Sequence, residues 1–319
     1  MQVHSDINNL PFFTNAIITI GTFDGVHTGH LQIINQLKEE ANAVNGETVI
    51  ITFDPHPRMV VNKSLTGQPG KVFEEIKVLT TLSEKTELLK KQAIDHLVIV
   101  PFTISFSEQS AEEYIRNFLV EKFHPHTIII GYDHRFGNNR NGDYKLLEEY
   151  QEKYNYKVKE IPEHVLHNVI ISSTKIRHSL SEGNIVDANE ALGYSYFFEG
   201  KVIEGNKLGR TLGYPTANIE ITDNTKLIPC NGVYAVEVTM EKSHALKGMM
   251  NIGIRPTIGG IKKVIEVNIF DFDQSIYNDT IVVHIKKYLR PEIKFAGLEE
   301  LKFQLGEDKV NALNVLKEA

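Results

Sequence analysis

The sequence reads as an α/β unit followed by a β-rich one, and three observations lead there. Short β-branched runs alternate with amphipathic stretches through the first half of the chain. That alternation stops after about Leu180, at the polar turn Ser181-Glu182-Gly183-Asn184. From Tyr196 onward, apolar runs follow one another with only Gly, Pro and Asn turns between them. The first half is therefore expected to form a parallel sheet with helices on both faces. The second is expected to form a small antiparallel barrel or sandwich. The boundary is placed near residue 185, giving units of 1–185 and 186–319.

The elements follow in order. Ala16 to Ile20 is a strand that stops at Gly21, and Leu31 to about Val44 is the helix after it. Thr48 to Phe53 is a second strand, ended by Asp54-Pro55-His56-Pro57, where prolines forbid continuation. His96 to Val100, Thr127 to Ile130 and Tyr156 to Ile161 are further strands; Ser83 to Ala93 and Ala111 to Phe123 are helices between them. Ligands of such sheets bind beyond the carboxyl ends of the strands. Those ends carry 21–30, 54–57 and 131–137. Val186 to Leu192 reads as a short connecting helix. The β-rich half offers strands at Phe197–Ile203, Gly232–Met240, Leu246–Ile252, Val264–Phe270 and Thr280–Tyr288, then a terminal helix over Leu298–Leu316.

With 319 residues the chain has room for two ordinary domains. A net charge of −7 argues against nucleic acid as a main partner, though not against a nucleotide. Cys230 is the single cysteine, so neither an internal disulfide nor a cysteine zinc cluster can form, and a buried small hydrophobe is its expected role. Met1 to Leu10 lacks the basic start and apolar core of a signal peptide, and no apolar run is long enough to span a membrane. The expectation is a cytoplasmic protein with no membrane partner; a homo-oligomer is left open.

The densest local signal is Gly21-Thr22-Phe23-Asp24-Gly25-Val26-His27-Thr28-Gly29-His30, between a strand and a helix. Its glycines permit a tight turn and let backbone N–H groups approach phosphate at a helix N-terminus. His27 and His30 are three apart, so one helical turn can carry both towards one ligand, where imidazoles donate to phosphate oxygens gaining charge. A structural turn, or a metal pair at i, i+3, are the other readings. Ile171-Ser172-Ser173-Thr174-Lys175-Ile176-Arg177 either caps a helix or adds hydroxyl donors and a guanidinium for leaving phosphates.

The second signal is Gly205-Asn206-Lys207-Leu208-Gly209-Arg210-Thr211-Leu212-Gly213-Tyr214-Pro215-Thr216-Ala217-Asn218. It lacks the ending of a Walker A loop. Glycines, Lys207 and Arg210 suit a triphosphate, and oxygens of Thr216 and Asn218 suit a hard cation. A surface hairpin is the other reading. Glu266 alternates with Ile265 and Val267, which also fits an exposed strand position; Asp271 and Asp273 read as turn residues.

Together these stretches resemble the prokaryotic bifunctional riboflavin kinase/FAD synthetase family over almost the whole chain. The first two look like the H-x-G-H and I-S-S-T-x-x-R motifs of nucleotidyltransferases. Thr52 to Pro57 and Gly131-Tyr132-Asp133-His134-Arg135-Phe136-Gly137 are similar to two further FAD synthetase loops. The third resembles the riboflavin kinase signature, continued by 232–234, 251–257, 266–272 and 289–295. Two departures are His134, where the family more often has an aromatic residue, and Tyr277-Asn278, where it often has Tyr-Gly.

The resemblance implies a Rossmann-like nucleotidyltransferase domain and an antiparallel β-barrel kinase domain with a terminal helix. ATP and riboflavin would give FMN and ADP; ATP and FMN would give FAD and pyrophosphate, each step with Mg²⁺. Gly21, Phe23, Asp24, Gly25, His27, His30, Asp133, Ser173, Thr174 and Arg177 would hold the transferase ATP. Asp54, Pro55, His56 and Pro57 would lie on its flavin side; His56 also reads as a turn residue and Phe136 as core packing. In the kinase, Gly205, Lys207, Gly209, Arg210, Pro215, Thr216 and Asn218 would hold ATP, with Thr216 and Asn218 serving the metal. Arg290, Glu292 and Phe295 would meet the flavin, and Glu266 would be the general base. One silent half, a nucleotidyltransferase for pantetheine phosphate or a polyol phosphate, and a non-catalytic flavin binder are the competing functions.

Overall fold

A computed structural model describes residues 1–65, 76–161, 171–205, 208–240, 244–257 and 260–317. The chain forms two compact units, Met1–Ser172 and Ser173–Ala319. The sequence places the change of pattern near residue 185; the two helices before that point and around it, Ser173–Ser181 and Ile185–Leu192, go with the second unit.

The first unit is built on six strands: β1 Gln2–His4, β2 Ile17–Ile20, β3 Thr48–Asp54, β4 His96–Pro101, β5 Thr127–Gly131 and β6 Lys157–Ile161. They pair in the order β1-β4-β3-β2-β5-β6, all parallel. β2 is buried along its whole length, which is why it reads as an unbroken apolar run instead of an alternating one. The chain steps outward from β2 to β3 and β4, then returns to β5 on the other side. The crevice between β2 and β5 is thus the switch point at which such sheets bind ligands.

Helix α1, Thr28–Val44, leaves β2 and ends on Asn45 in the left-handed region (φ 50°). α2 is Pro57–Leu65, with its proline in the first turn, where the missing N–H costs nothing. α3, Leu82–Lys90, starts at a capping box between Thr81 and Glu84. A helical stretch from Ala111 to Phe123 contains a π-helical segment, Tyr114–Val120, that buries Tyr114, Ile115, Phe118 and Leu119. Tyr114 stacks on Phe136 (centroids 5.0 Å apart) and so seats the loop after β5.

The second unit carries β7 Phe197–Ile203, β8 Ala217–Glu220, β9 Gly232–Met240, β10 Leu246–Thr257, β11 Gly260–Ile269 and β12 Thr280–Arg290. They close as a barrel, β10-β11-β8-β7-β12-β9, with antiparallel pairing throughout. The expected choice between barrel and sandwich is settled by β8, a strand absent from the sequence reading. Its four residues bridge β7 and β11. Tyr234, Val236, Met250, Ile252 and Val267 fill the interior. Residues of opposite parity, Ala235, Met249 and Phe270, pack against Ala312 and Leu316 at the end of the terminal helix, Leu298–Val315. At the departure noted above, Asn278 adopts φ 70°, a left-handed turn that asparagine tolerates. Asp271 is also a left-handed turn residue (φ 53°) and is exposed, as is Asp273.

Candidate active sites

The turn after β2 is wound tightly: Phe23, Gly25 and Val26 all have positive φ (46°, 84° and 38°). Phe23 is buried, and its ring lies against Gly21, where a Cβ would sit only 3.2 Å from it. Asp24 is buried too and ties the turn to the segment before α3. Its Oδ1 accepts from the backbone N–H groups of Leu79 (2.8 Å) and Thr80 (3.1 Å), and Thr80 Oγ1 accepts from Gly25 N–H (3.0 Å). Thr80 was not singled out by sequence.

His27 caps α1 and His30 lies in its first turn. Their rings stack with centroids 3.7 Å apart and planes 17° from parallel, so the spacing of three does bring both to one place. His30 Nδ1 is buried with no hydrogen-bond partner among the described residues. Burial, then the charges of His27 and Lys85, hold the His30 imidazole well below its ordinary pKa. A neutral ring on this floor offers an N–H to an oxyanion without bringing a second buried charge. Among the described residues, no group of three His, Cys, Asp or Glu side chains is placed to hold a metal.

The loops after β3 and β5 leave the carboxyl ends of the same parallel sheet. Asp54 and Pro55 are exposed at the end of β3, and His56 Nδ1 accepts from Arg58 N–H at 3.2 Å, a local turn bond. In the loop after β5, Asp133 is exposed, and the Phe136 backbone pairs both ways with Gly142 (3.0 and 2.9 Å). Gly137 has φ +72°, and a Cβ there would strike the Ala111 backbone at 2.7 Å. His134 is half-buried, but its Nε2 is fully shielded and has no hydrogen-bond partner among the described residues. Burial pushes its pKa down to about 4 despite the nearby Asp133. Ser173 and Thr174 open the helix Ser173–Ser181 of the second unit, with Arg177 one turn on.

In the second unit a cavity of about 200 Å³ lies between the barrel wall and the terminal helix. Thr216, Glu266, Arg290, Glu292 and Phe295 all line it. Glu266 pairs in register with Asn218 on β8 and with Asn251 on β10, so three polar side chains form one row across three strands. The parity that made Glu266 look like an exposed strand residue instead turns it to the cavity. Asn218 is buried against Gly205, where any Cβ would collide with the Asn218 side-chain amide. Gly209 closes a turn by accepting from Tyr214 N–H (2.8 Å), and Arg210 is exposed on the short helix Leu208–Thr211. Lys207 lies outside the described residues.

Asn268, not anticipated from sequence, donates to Pro215 O at 2.6 Å and fixes the segment leading to Thr216. Arg290 gives Nε and Nη2 to Asp308 (2.8 and 2.6 Å) and Nη1 to Pro291 O (2.9 Å). Its guanidinium carbon lies 6.0 Å from the Phe295 ring centre. Arg290 therefore clamps the terminal helix while lining the cavity. Gln304 adds a third bond to Asp308 (3.0 Å).

Two family models match, FAD synthetase over residues 11–175 and riboflavin kinase over residues 192–316. Bifunctional riboflavin kinase/FMN adenylyltransferases are similar along nearly their whole length. The protein of Buchnera aphidicola from Schizaphis graminum is 39% identical, over 97% of this chain and 96% of its own. That of Listeria monocytogenes is 36% identical (92% and 90%), and that of Escherichia coli K12 is 35% identical (93% and 91%). A solved Streptococcus pneumoniae structure, described as a macrolide-efflux protein, superposes with TM-score 0.85 at 27% identity, covering 98% of both chains. Among the described residues no helix is long and apolar enough to cross a membrane. With both halves matched in order and relatives aligned nearly end to end, the chain belongs to the bifunctional riboflavin kinase/FMN adenylyltransferase family.

Proposed function

We propose that residues 186–319 phosphorylate riboflavin to FMN and that residues 1–185 adenylylate FMN to FAD. The observation that carries the reading is the row Asn218, Glu266, Asn251, of which Glu266 and Asn251 line the cavity together with Thr216. A carboxylate flanked by neutral amide oxygens and a hydroxyl suits proton removal next to a bound triphosphate.

In the kinase step, Glu266 takes the proton from the ribityl 5′-hydroxyl as its oxygen attacks the γ-phosphorus of ATP. The bond to the bridging β–γ oxygen breaks and ADP leaves. Thr216 and Asn218 would supply oxygens for Mg²⁺, and Gly205 leaves room for the Asn218 amide at this point. When bound, the ion offsets phosphate charge. Gly209 and Arg210 receive the phosphates, and Glu292 and Phe295 meet the flavin.

In the transferase step, a phosphate oxygen of FMN attacks the α-phosphorus of ATP. The bond to the α–β bridging oxygen breaks and pyrophosphate leaves. The attacking phosphate is already ionised at neutral pH, so no base is needed, and positioning and charge stabilisation suffice. His27 and His30 donate to the α-phosphate oxygens. Ser173, Thr174 and Arg177 serve the departing phosphates, Asp133 the nucleoside side, and Asp54 to Pro57 the flavin side. Dependence on ATP in both steps supports a cytoplasmic location.

The test is chromatographic separation of flavins after incubation with ATP, Mg²⁺ and either riboflavin or FMN. FAD from both, with transient FMN from riboflavin, is expected. Glu266→Ala should abolish FMN formation but leave conversion of FMN to FAD, and His30→Ala should do the reverse. Loss of both activities in either folded variant would refute the division of labour.

A further inference from the structure

Lys85 stands out because neither motif contains it. It sits on α3 in the first unit and is only 7% exposed, unusual for a lysine with no carboxylate in direct contact among the described residues. Its Nζ donates to Thr52 Oγ1 at 3.3 Å, near the carboxyl end of β3. Thr52 Oγ1 in turn donates to Thr22 O at 3.1 Å, inside the turn that carries the histidines. The ammonium therefore ends a two-bond chain joining α3, β3 and the turn after β2. The segment just before α3 is tied to the same turn through Asp24 and Thr80, so α3 is fixed relative to the histidines at two points.

We propose that Lys85 is a positioning residue for nucleotidyl transfer, a buried ammonium that braces the turn after β2 and presents a fixed positive charge to the His27–His30 pair. This rests on the reading that the first unit transfers a nucleotidyl group. The Lys85 charge acts on the His30 ring and disfavours a proton there, so His30 remains the neutral donor already described. The charges facing His30 are His27 on its own turn of α1 and Lys85 on α3. Asp24, in the turn after β2, and Asp54, at the end of β3, act on Lys85 in the opposite sense to its burial, which lowers its pKa. The carboxylates thereby help to keep the ammonium charged in a place that would otherwise neutralise it. The same charge adds to the field that receives the anionic phosphates.

The test compares Lys85→Met and Lys85→Arg with the parent protein. The midpoint of the His30 imidazole is followed by NMR, assigned by difference against His30→Gln. The pH profile of FAD formation from FMN is measured in parallel. Lys85→Met should move the His30 midpoint to higher pH and move the acid limb of FAD formation with it. FAD formation should fall on the order of 10- to 100-fold, the cost of a misplaced reacting group. Lys85→Arg should keep the His30 midpoint close to the parent's, because the charge is retained. Riboflavin phosphorylation in the same preparations reports on the fold. A folded Lys85→Met protein whose His30 titrates as in the parent overturns the proposal. So does an equal loss of FAD formation in both variants with no change in pH profile, which would mean that Lys85 only packs. A parent protein that makes no FAD from FMN would sink the transferase reading instead, and the NMR comparison would still decide the role of Lys85.

Discussion

Replacing Asp308 by Asn tests the clamp between barrel and terminal helix. The Asp308 side chain is 2% exposed and that of Arg290 17%, and the two share a bidentate contact. Removing one partner of a buried ion pair strands the other charge and costs about 3–5 kcal/mol. Arg290 keeps its bond to Pro291 O and some access to water, so the lower end of that range applies, about 3 kcal/mol. At about 2–4 °C per kcal/mol for a unit of this size, the melting transition of the barrel should fall by roughly 6–12 °C. Differential scanning calorimetry is the assay, since a two-unit chain can show separate transitions. Removing both charges at once, Arg290→Met with Asp308→Leu, should recover much of the loss, because a buried pair often gains little over apolar packing. A decrease in Asp308→Asn below about 1 kcal/mol, the value of an exposed pair, would refute the reasoning.

Two further outcomes follow from buried contacts. His134 carries a folded-state pKa of about 4, below its ordinary 6.5, so between those values the unfolded chain takes up a proton that the native one refuses. Native stability is therefore undiminished above about pH 6.5 and drains away as pH falls towards 4; His134→Phe should gain on the parent by up to ~3 kcal/mol across that window. Urea unfolding at pH 5 and 7.5 reads this, and a gap that fails to widen on the acid side rules it out. Gly205→Ala should cut FMN formation on the order of 10- to 100-fold while sparing conversion of FMN to FAD, because the new methyl group displaces Asn218. Undiminished FMN formation in that variant would show that Asn218 is not needed where it sits.

The long elements were legible because one physical signal dominated each. Thr48–Phe53 and Thr127–Ile130 are buried on both faces, so their apolar runs admit few other readings. β1 and β8 escaped notice for opposite reasons. Gln2–His4 is a three-residue edge strand with no pattern of its own, placed by pairing with β4. Ala217–Glu220 is masked by the phosphate motif that runs into it. Within the candidate sites, the residues proposed to face ligand stand in motifs, whereas their supports do not. Thr80, Lys85, Asn268 and Asp308 act through contacts between distant parts of the chain, and nothing local in sequence announces such a contact. Asp24 shows the converse, a motif residue whose carboxylate also accepts from the distant backbone of Leu79 and Thr80.

The polar row on the barrel has a consequence for how this gene can drift. Glu266 meets Asn218 on one side and Asn251 on the other only because β11 is threaded in one register. Side chains alternate between faces, so losing a single codon between Gly260 and Glu266 would carry Val267 into the place opposite Asn218 and turn the carboxylate to the apolar interior. Losing two would restore the facing and cost only a step along the strand. The hairpin thus behaves like a reading frame with a period of two, and its length is under tighter bookkeeping than its composition.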